Sequence, residues 1–286
     1  MRRFEQSESL KWFPDLPEAF NDRYRLGGYS TQQIDRIMWK YLVRRNNCER
    51  AWVRILQHMP ETLNSEPLDI LELSTAHGAM LEIWRHYGHR VAGTDFAWAK
   101  GDAKVQRKGT KKPWQFQEME LLRAQTSECE RAEEIDGWPY QPIIESLGLD
   151  VTLHDGGLLP YPFGDNSFDY VCAYQAIEAY ADPARWPEIV DEMVRIARRC
   201  VVLGFNPPEV AMRADEEMWG RCRAAWDDMM TYNRNGFEID VFQLGETRAG
   251  MHPIFCKFRA KAPVGGALED LGRQKARRTK TGGNRA

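Results

Sequence analysis

The sequence predicts an α/β fold, one mostly parallel sheet with helices against its faces. Three observations carry this. The apolar run 70–73 ends in small residues, is followed by a helix-like segment at 80–87, and meets a second apolar run that stops on Asp95. Strand, tight turn, helix, strand, acid is the order of a βαβ nucleotide-binding unit. Downstream, 149–155 and 168–174 read as two more strands, and a helix at 186–197 leads into a strand at 200–205. Last, 237–244 and 253–258 form a candidate antiparallel pair that would close the sheet.

The elements follow in chain order. Residues 1–28 read as irregular, because Pro14, Pro17 and Gly27-Gly28 break any long element. Residues 30–59 read as helix, capped by Ser30 or Thr31. Ile34, Ile37, Met38 and Tyr41, then Trp52, Ile55 and Leu56, recur at three-to-four spacing, and Asn46-Asn47 marks an expected break. Residues 101–148 form an insertion between the second and third strands. Its start is basic (Lys100, Lys104, Arg107, Lys108, Lys111, Lys112 against Asp102), and its end is a helix entered through Trp138-Pro139-Tyr140-Gln141-Pro142. Long loops carried by a rigid sheet are where ligand specificity concentrates. The stretch from Met212 to Tyr232, with Trp219, Trp226, Met229 and Met230, is either a core helix or a set of substrate contacts.

Composition bounds the class. With 43% hydrophobic and 28% charged residues over 286, the chain is of the ordinary globular kind. A net charge of −3 argues against nucleic-acid binding by the chain as a whole. Residues 271–286 differ, holding six basic residues and no acid. They read as a solvated tail, with docking to RNA or another anionic surface as the alternative. The six cysteines form no CxxC pair or Cys/His ligand spacing, so neither zinc nor a disulfide framework is expected. No signal peptide and no apolar run of about 18 residues is present, which makes a cytoplasmic protein the expectation.

Several residues are candidates on chemistry alone. A strand-terminal carboxylate such as Asp95 can accept both hydroxyls of a ribose. Glu72 lies inside an apolar strand, where an unpartnered carboxylate is costly, so it must meet donors. Gly78 and residues 74–77 precede a helix whose first amides can face a ligand. A nicotinamide-dependent dehydrogenase would want G-x-G-x-x-G, and Ser74-Thr75-Ala76-His77-Gly78-Ala79 lacks it.

With these motifs the chain resembles the class I S-adenosylmethionine-dependent methyltransferases. The resemblance starts at Glu72-Leu73-Ser74-Thr75-Ala76-His77-Gly78, where Ser74 and Ala76 replace two of the family's usual glycines and leave positive φ less accessible. It continues at Asp155, at 159–163, at Asp165 and at Ser167-Phe168-Asp169, and covers roughly residues 65–260. It implies a three-layer Rossmann-like methyltransferase fold. The expected sheet is seven-stranded and mostly parallel, with a C-terminal antiparallel strand and an N-terminal helical cap. The implied organisation is an extension and cap at 1–64, a methyltransferase domain at 65–262 and a basic tail at 263–286. The implied cofactor is S-adenosylmethionine, held by Glu72, Ser74, Ala76, Gly78, Asp95, Asp155, Gly156 and Tyr174. Glu72 would lie near its ammonium group, and Asp155, ending the third strand, would accept from the adenine amine.

Many relatives carry Glu-His after the fourth strand, where this chain has Glu178-Ala179. Glu178, Tyr174 and His154 remain as candidate bases, with His252 behind them, and no metal is implied. The expected activity is in-line methyl transfer to a small-molecule or saccharide-like acceptor, with no membrane partner and a nucleic-acid acceptor left open. The alternative is a non-catalytic S-adenosylmethionine-binding or regulatory protein of the same fold.

Overall fold

The structure, a computed structural model, describes residues 14–30, 33–34, 37, 41–97, 137–208, 213–247 and 250–261. The basic start of the insertion and the tail from 263 lie outside the described residues. Five parallel strands come first: β1 (Asp69–Leu73), β2 (Arg90–Asp95), β3 (Val151–Leu153), β4 (Phe168–Tyr174) and β5 (Ala197–Gly204). Then follow β6 (Asn233–Arg234), β7 (Phe237–Thr247) and β8 (Gly250–Ala260). The order across the sheet is β3-β2-β1-β4-β5-β8-β7-β6, and β8 lies antiparallel to both β5 and β7.

The expected seven strands are therefore present, with one addition. After α6 (Glu216–Met230) the chain makes the two-residue strand β6 on the outer edge of β7 before turning back through Asn235-Gly236. Asn235 and Gly236 both take positive φ, which a tight strand-reversing turn requires. The closing strands are also longer than expected, at 11 residues each. β3 is shorter: it stops at Leu153, so Asp155 lies in the following turn and does not end the strand.

Helices cover both faces. On one side α1 (Arg44–His58) packs on α2 (Ala79–His86), and Ile55, Met80, Ile83 and Trp84 meet Ile70 and Val202 of the sheet. Each such side chain removed from water contributes roughly 1.5–3 kcal/mol. On the other side α5 (Trp186–Ile196) buries Trp186, Ile189, Val190, Met193 and Val194, the 3.6-residue period expected of a core-facing helix. α6 joins that core through Met218, Cys222, Trp226 and Met229, so residues 216–230 of that stretch form a helix with one face in the core. Asp215 caps it by accepting from the Met218 amide at 2.9 Å. Two shorter helices, α3 (Gln141–Leu147) and α4 (Ile177–Tyr180), flank the strand ends.

The predicted break at Asn46-Asn47 is not a break. Both residues sit in the first turn of α1, which runs unbroken to His58. Asn47 is fully buried there and donates to the Tyr24 hydroxyl (2.9 Å) and the Tyr41 carbonyl (2.8 Å). Tertiary partners thus satisfy a side chain that, alone, favours turns. Arg44 fixes α1 to α2 through a two-pronged ion pair with Glu82.

Candidate functional site

A cavity of about 250 Å³ opens at the carboxyl ends of β1, β2 and β4, under α1. This is where strand order reverses, β2 lying on one side of β1 and β4 on the other. Its lining includes Glu72, Asp95, Ser74, Ala76 and Tyr174 among the residues singled out from the sequence.

The β1–α2 loop gives the cavity its shape. Ser74, Ala76 and Gly78 take φ of 55°, 50° and 71°, so two non-glycine residues adopt the left-handed conformation usual for glycine. Each such residue costs about 1–2 kcal/mol, and the surroundings hold them there. The Thr75 amide donates to the Thr94 carbonyl (2.9 Å) and its hydroxyl to the Glu72 carbonyl (3.0 Å). Gly93 allows this approach, since a Cβ there would lie 2.3 Å from the Thr75 hydroxyl oxygen. Gly78 caps α2 beside the cavity rather than in its lining, and a Cβ on it would meet Leu149 at 2.5 Å.

Two carboxyl groups sit deep in this site. Glu72 is buried and its Oε2 has no hydrogen-bond partner. Burial pushes its pKa up to about 8, with Arg54 opposing and Asp95 adding to the rise. Asp95 ends β2, accepting from its neighbour Phe96 N (2.8 Å) and from the Trp138 indole (2.7 Å). Its pKa is raised to about 6, because burial outweighs those hydrogen bonds.

The cap side supplies cations. Arg50 and Arg54 of α1 line the cavity with Asn47, Ala51 and Tyr41. Arg54 donates to Gln175 Oε1 (2.6 Å) and lies 5.3 Å from the Tyr174 ring centre. The Tyr174 hydroxyl is joined to His58 Nδ1 at 2.9 Å. Burial, then Arg54 and Lys257, lowers the His58 pKa to about 4, and burial raises that of Tyr174 well above 10.

The remaining candidates stand apart from the cavity. Asp155 Oδ1 accepts from Gly157 N (2.9 Å), closing its own turn. A Cβ on Gly156 would lie 2.5 Å from the Tyr180 ring, so Gly156 approaches that ring, and its carbonyl accepts from the Tyr161 hydroxyl. Glu178 is buried and accepts from the Asn206 amide (2.6 Å), bracing α4 against the end of β5. His154 Nε2 meets the Leu158 carbonyl (2.9 Å), and His252, buried on β8, meets the Gly250 carbonyl. Sequence reasoning missed Arg50, Arg54 and Trp138. The signal for the arginines was their four-residue spacing, which puts both on one helix face; Trp138 had no local signal.

The strand order, the parallel run β1–β5 and the reversed β8 define the Rossmann-like fold of the class I methyltransferases. Among solved structures, magnesium protoporphyrin IX methyltransferase from Synechocystis PCC 6803 with bound SAH is 14% identical. That match covers 82% of this chain and 90% of the other, at a TM-score of 0.42. The PH0226 protein from Pyrococcus horikoshii OT3 is 12% identical over 82% of this chain and 100% of its own, TM-score 0.44. A SAM-dependent methyltransferase from Methanosarcina mazei is 15% identical over 71% and 95%, TM-score 0.40. The family described as methionine biosynthesis protein MetW matches residues 145–223. No curated protein matches the chain.

The residues present fit the cofactor that the resemblance implies. A buried carboxylate oxygen without a partner suits an ammonium donor, and a strand-end acid suits a diol. Among the described residues, no group of three or more His, Cys, Asp or Glu could hold a metal ion, and no helix is long and apolar enough to cross a membrane.

Proposed function

We propose that this protein is an S-adenosylmethionine-dependent methyltransferase acting on a small-molecule or saccharide-like acceptor. The observation that carries the reading is the unpartnered Glu72 Oε2 in the same cavity as Asp95, beneath a loop held in left-handed conformations. Glu72 receives the cofactor's ammonium, Asp95 its ribose hydroxyls, and the amides of the 74–78 loop its methionyl part. Asp155 and Gly156 serve the adenine only after their turn has shifted from its contacts with Gly157 and Tyr180.

When bound, S-adenosylmethionine would supply an already activated methyl group. The chain's own contribution is then positioning and exclusion of water. Tyr174 orients the reacting region while His58 holds its hydroxyl, and α1 with Tyr41 forms the part of the cap that covers the site. The candidates Glu178 and His154 are engaged in bracing contacts, which supports acceptors whose nucleophile needs no strong base.

Calorimetric titration with S-adenosylmethionine and S-adenosylhomocysteine, repeated on Asp95→Ala, tests the reading. Micromolar binding is expected, weakened by the substitution at least about tenfold, or about 1.4 kcal/mol. Absence of binding by either ligand would reduce the assignment to one of fold.

A further inference from the structure

We propose that Arg50 and Arg54 form a clamp for a carboxylate or phosphate group on the methyl acceptor, so that the acceptor is an anionic small molecule. This rests on the methyltransferase reading above and deepens it.

Two of the four arginines on α1 are neutralised and two are not. Arg44 pairs with Glu82 and Arg45 with Glu49. Arg50 and Arg54, one turn apart and both on the cavity wall, pair with no carboxylate among the described residues. Arg50 donates to Asn47 Oδ1 (2.7 Å) and lies 5.7 Å from the Tyr41 ring centre. Arg54 donates to Gln175 Oε1 and lies over Tyr174. All four partners are neutral, and a guanidinium carries five N–H donors in a planar fork. Amide oxygens and aromatic faces therefore orient both groups and leave most of their donors for a ligand. That fork matches the two oxygens of a carboxylate or phosphate.

Among the described residues neither acid of the cavity forms an ion pair with Arg50 or Arg54. Glu72 acts on Arg54 only through space, and both oxygens of Asp95 already accept hydrogen bonds. Arg54 stands over Tyr174 and Gln175, just past β4, whereas Asp95 ends β2 on the other side of β1.

The cofactor also bears a carboxylate, and the test separates the two sources. Arg50→Gln, Arg54→Gln and the charge-keeping Arg54→Lys are titrated with S-adenosylhomocysteine and with methylthioadenosine, which lacks the amino-acid end. Each protein saturated with S-adenosylhomocysteine is then titrated with inorganic phosphate and with benzoate, after a melting curve confirms folding. Support is binding of either anion to the wild-type complex, weakened about tenfold in both Gln variants, with homocysteine-ligand affinity held within about threefold. Arg54→Lys falls between, because it keeps charge and loses the fork. The clamp is overturned if neither anion binds the wild-type complex. It is equally overturned if the Gln variants lose S-adenosylhomocysteine but keep methylthioadenosine, which would assign the arginines to the cofactor. Wild-type protein that binds neither adenosine ligand would sink the methyltransferase reading itself, a different and recognisable result.

Discussion

The β1–α2 loop and the β3–β4 loop use glycine in opposite ways. The first has a single glycine, yet Ser74 and Ala76 adopt the left-handed backbone and line the cavity. The second has two consecutive glycines, and neither lines it. Gly156 lies against the Tyr180 ring, and a Cβ on Gly157 would stand 2.3 Å from the Tyr180 carbonyl oxygen. Glycine marks close approach, whether of a ligand or of the chain's own backbone, and composition alone does not say which. Conversely, strain shows only in coordinates, and here it sits beside the cavity.

The largest expected effect breaks the second loop. Gly157→Ala must displace the backbone of α4 and should lower stability by about 2–3 kcal/mol in denaturant melts. A loss below about 0.5 kcal/mol would mean that the turn is not locked onto Tyr180, and the contrast between the loops would fail. The next effect concerns pH. Burial raises the Glu72 pKa from 4.5 to about 8, so across that interval the folded state holds more protons than the unfolded one. Its contribution to stability is complete below about pH 4.5 and is lost as pH rises through about 8. Glu72→Gln should flatten that part of the stability profile, compared by chemical denaturation at acid and alkaline pH; an unchanged slope would assign it to other groups. The smallest effect sharpens the first loop. Ala76→Gly should raise stability by about 0.5–1 kcal/mol, the left-handed cost relieved less the backbone entropy of glycine. A decrease instead would show that Ala76 is not strained.

The parts of this molecule that local pattern dictates were legible in the sequence. β1, β2 and β4 are apolar runs with defined ends, and Asp95 was marked by the run that stops on it. Asn47 was misread because its reason for being helical lies in Tyr24 and Tyr41, 23 and 6 residues away in the chain. Arg50 and Arg54 were passed over because charged residues on an amphipathic helix ordinarily face solvent; only the placement of α1 over the strand ends gives them a cavity. Asp155-Gly156-Gly157 reads the same whether the turn meets a nucleobase or its own side chain, and the Asp155 carboxylate meets Gly157 N. The strand–turn–helix grammar fixes elements, whereas the occupancy of each hydrogen-bonding atom is decided by what folds onto it.

The Trp138 indole on Asp95 has a consequence for ligand selection. The indole N–H fills one acceptor position of Oδ2 and the Phe96 amide one of Oδ1, which together hold the plane of the carboxylate. A carboxylate offers about four such positions, so a further donor can reach Asp95 only at those that remain. The tryptophan thus sets the direction from which the acid can be approached.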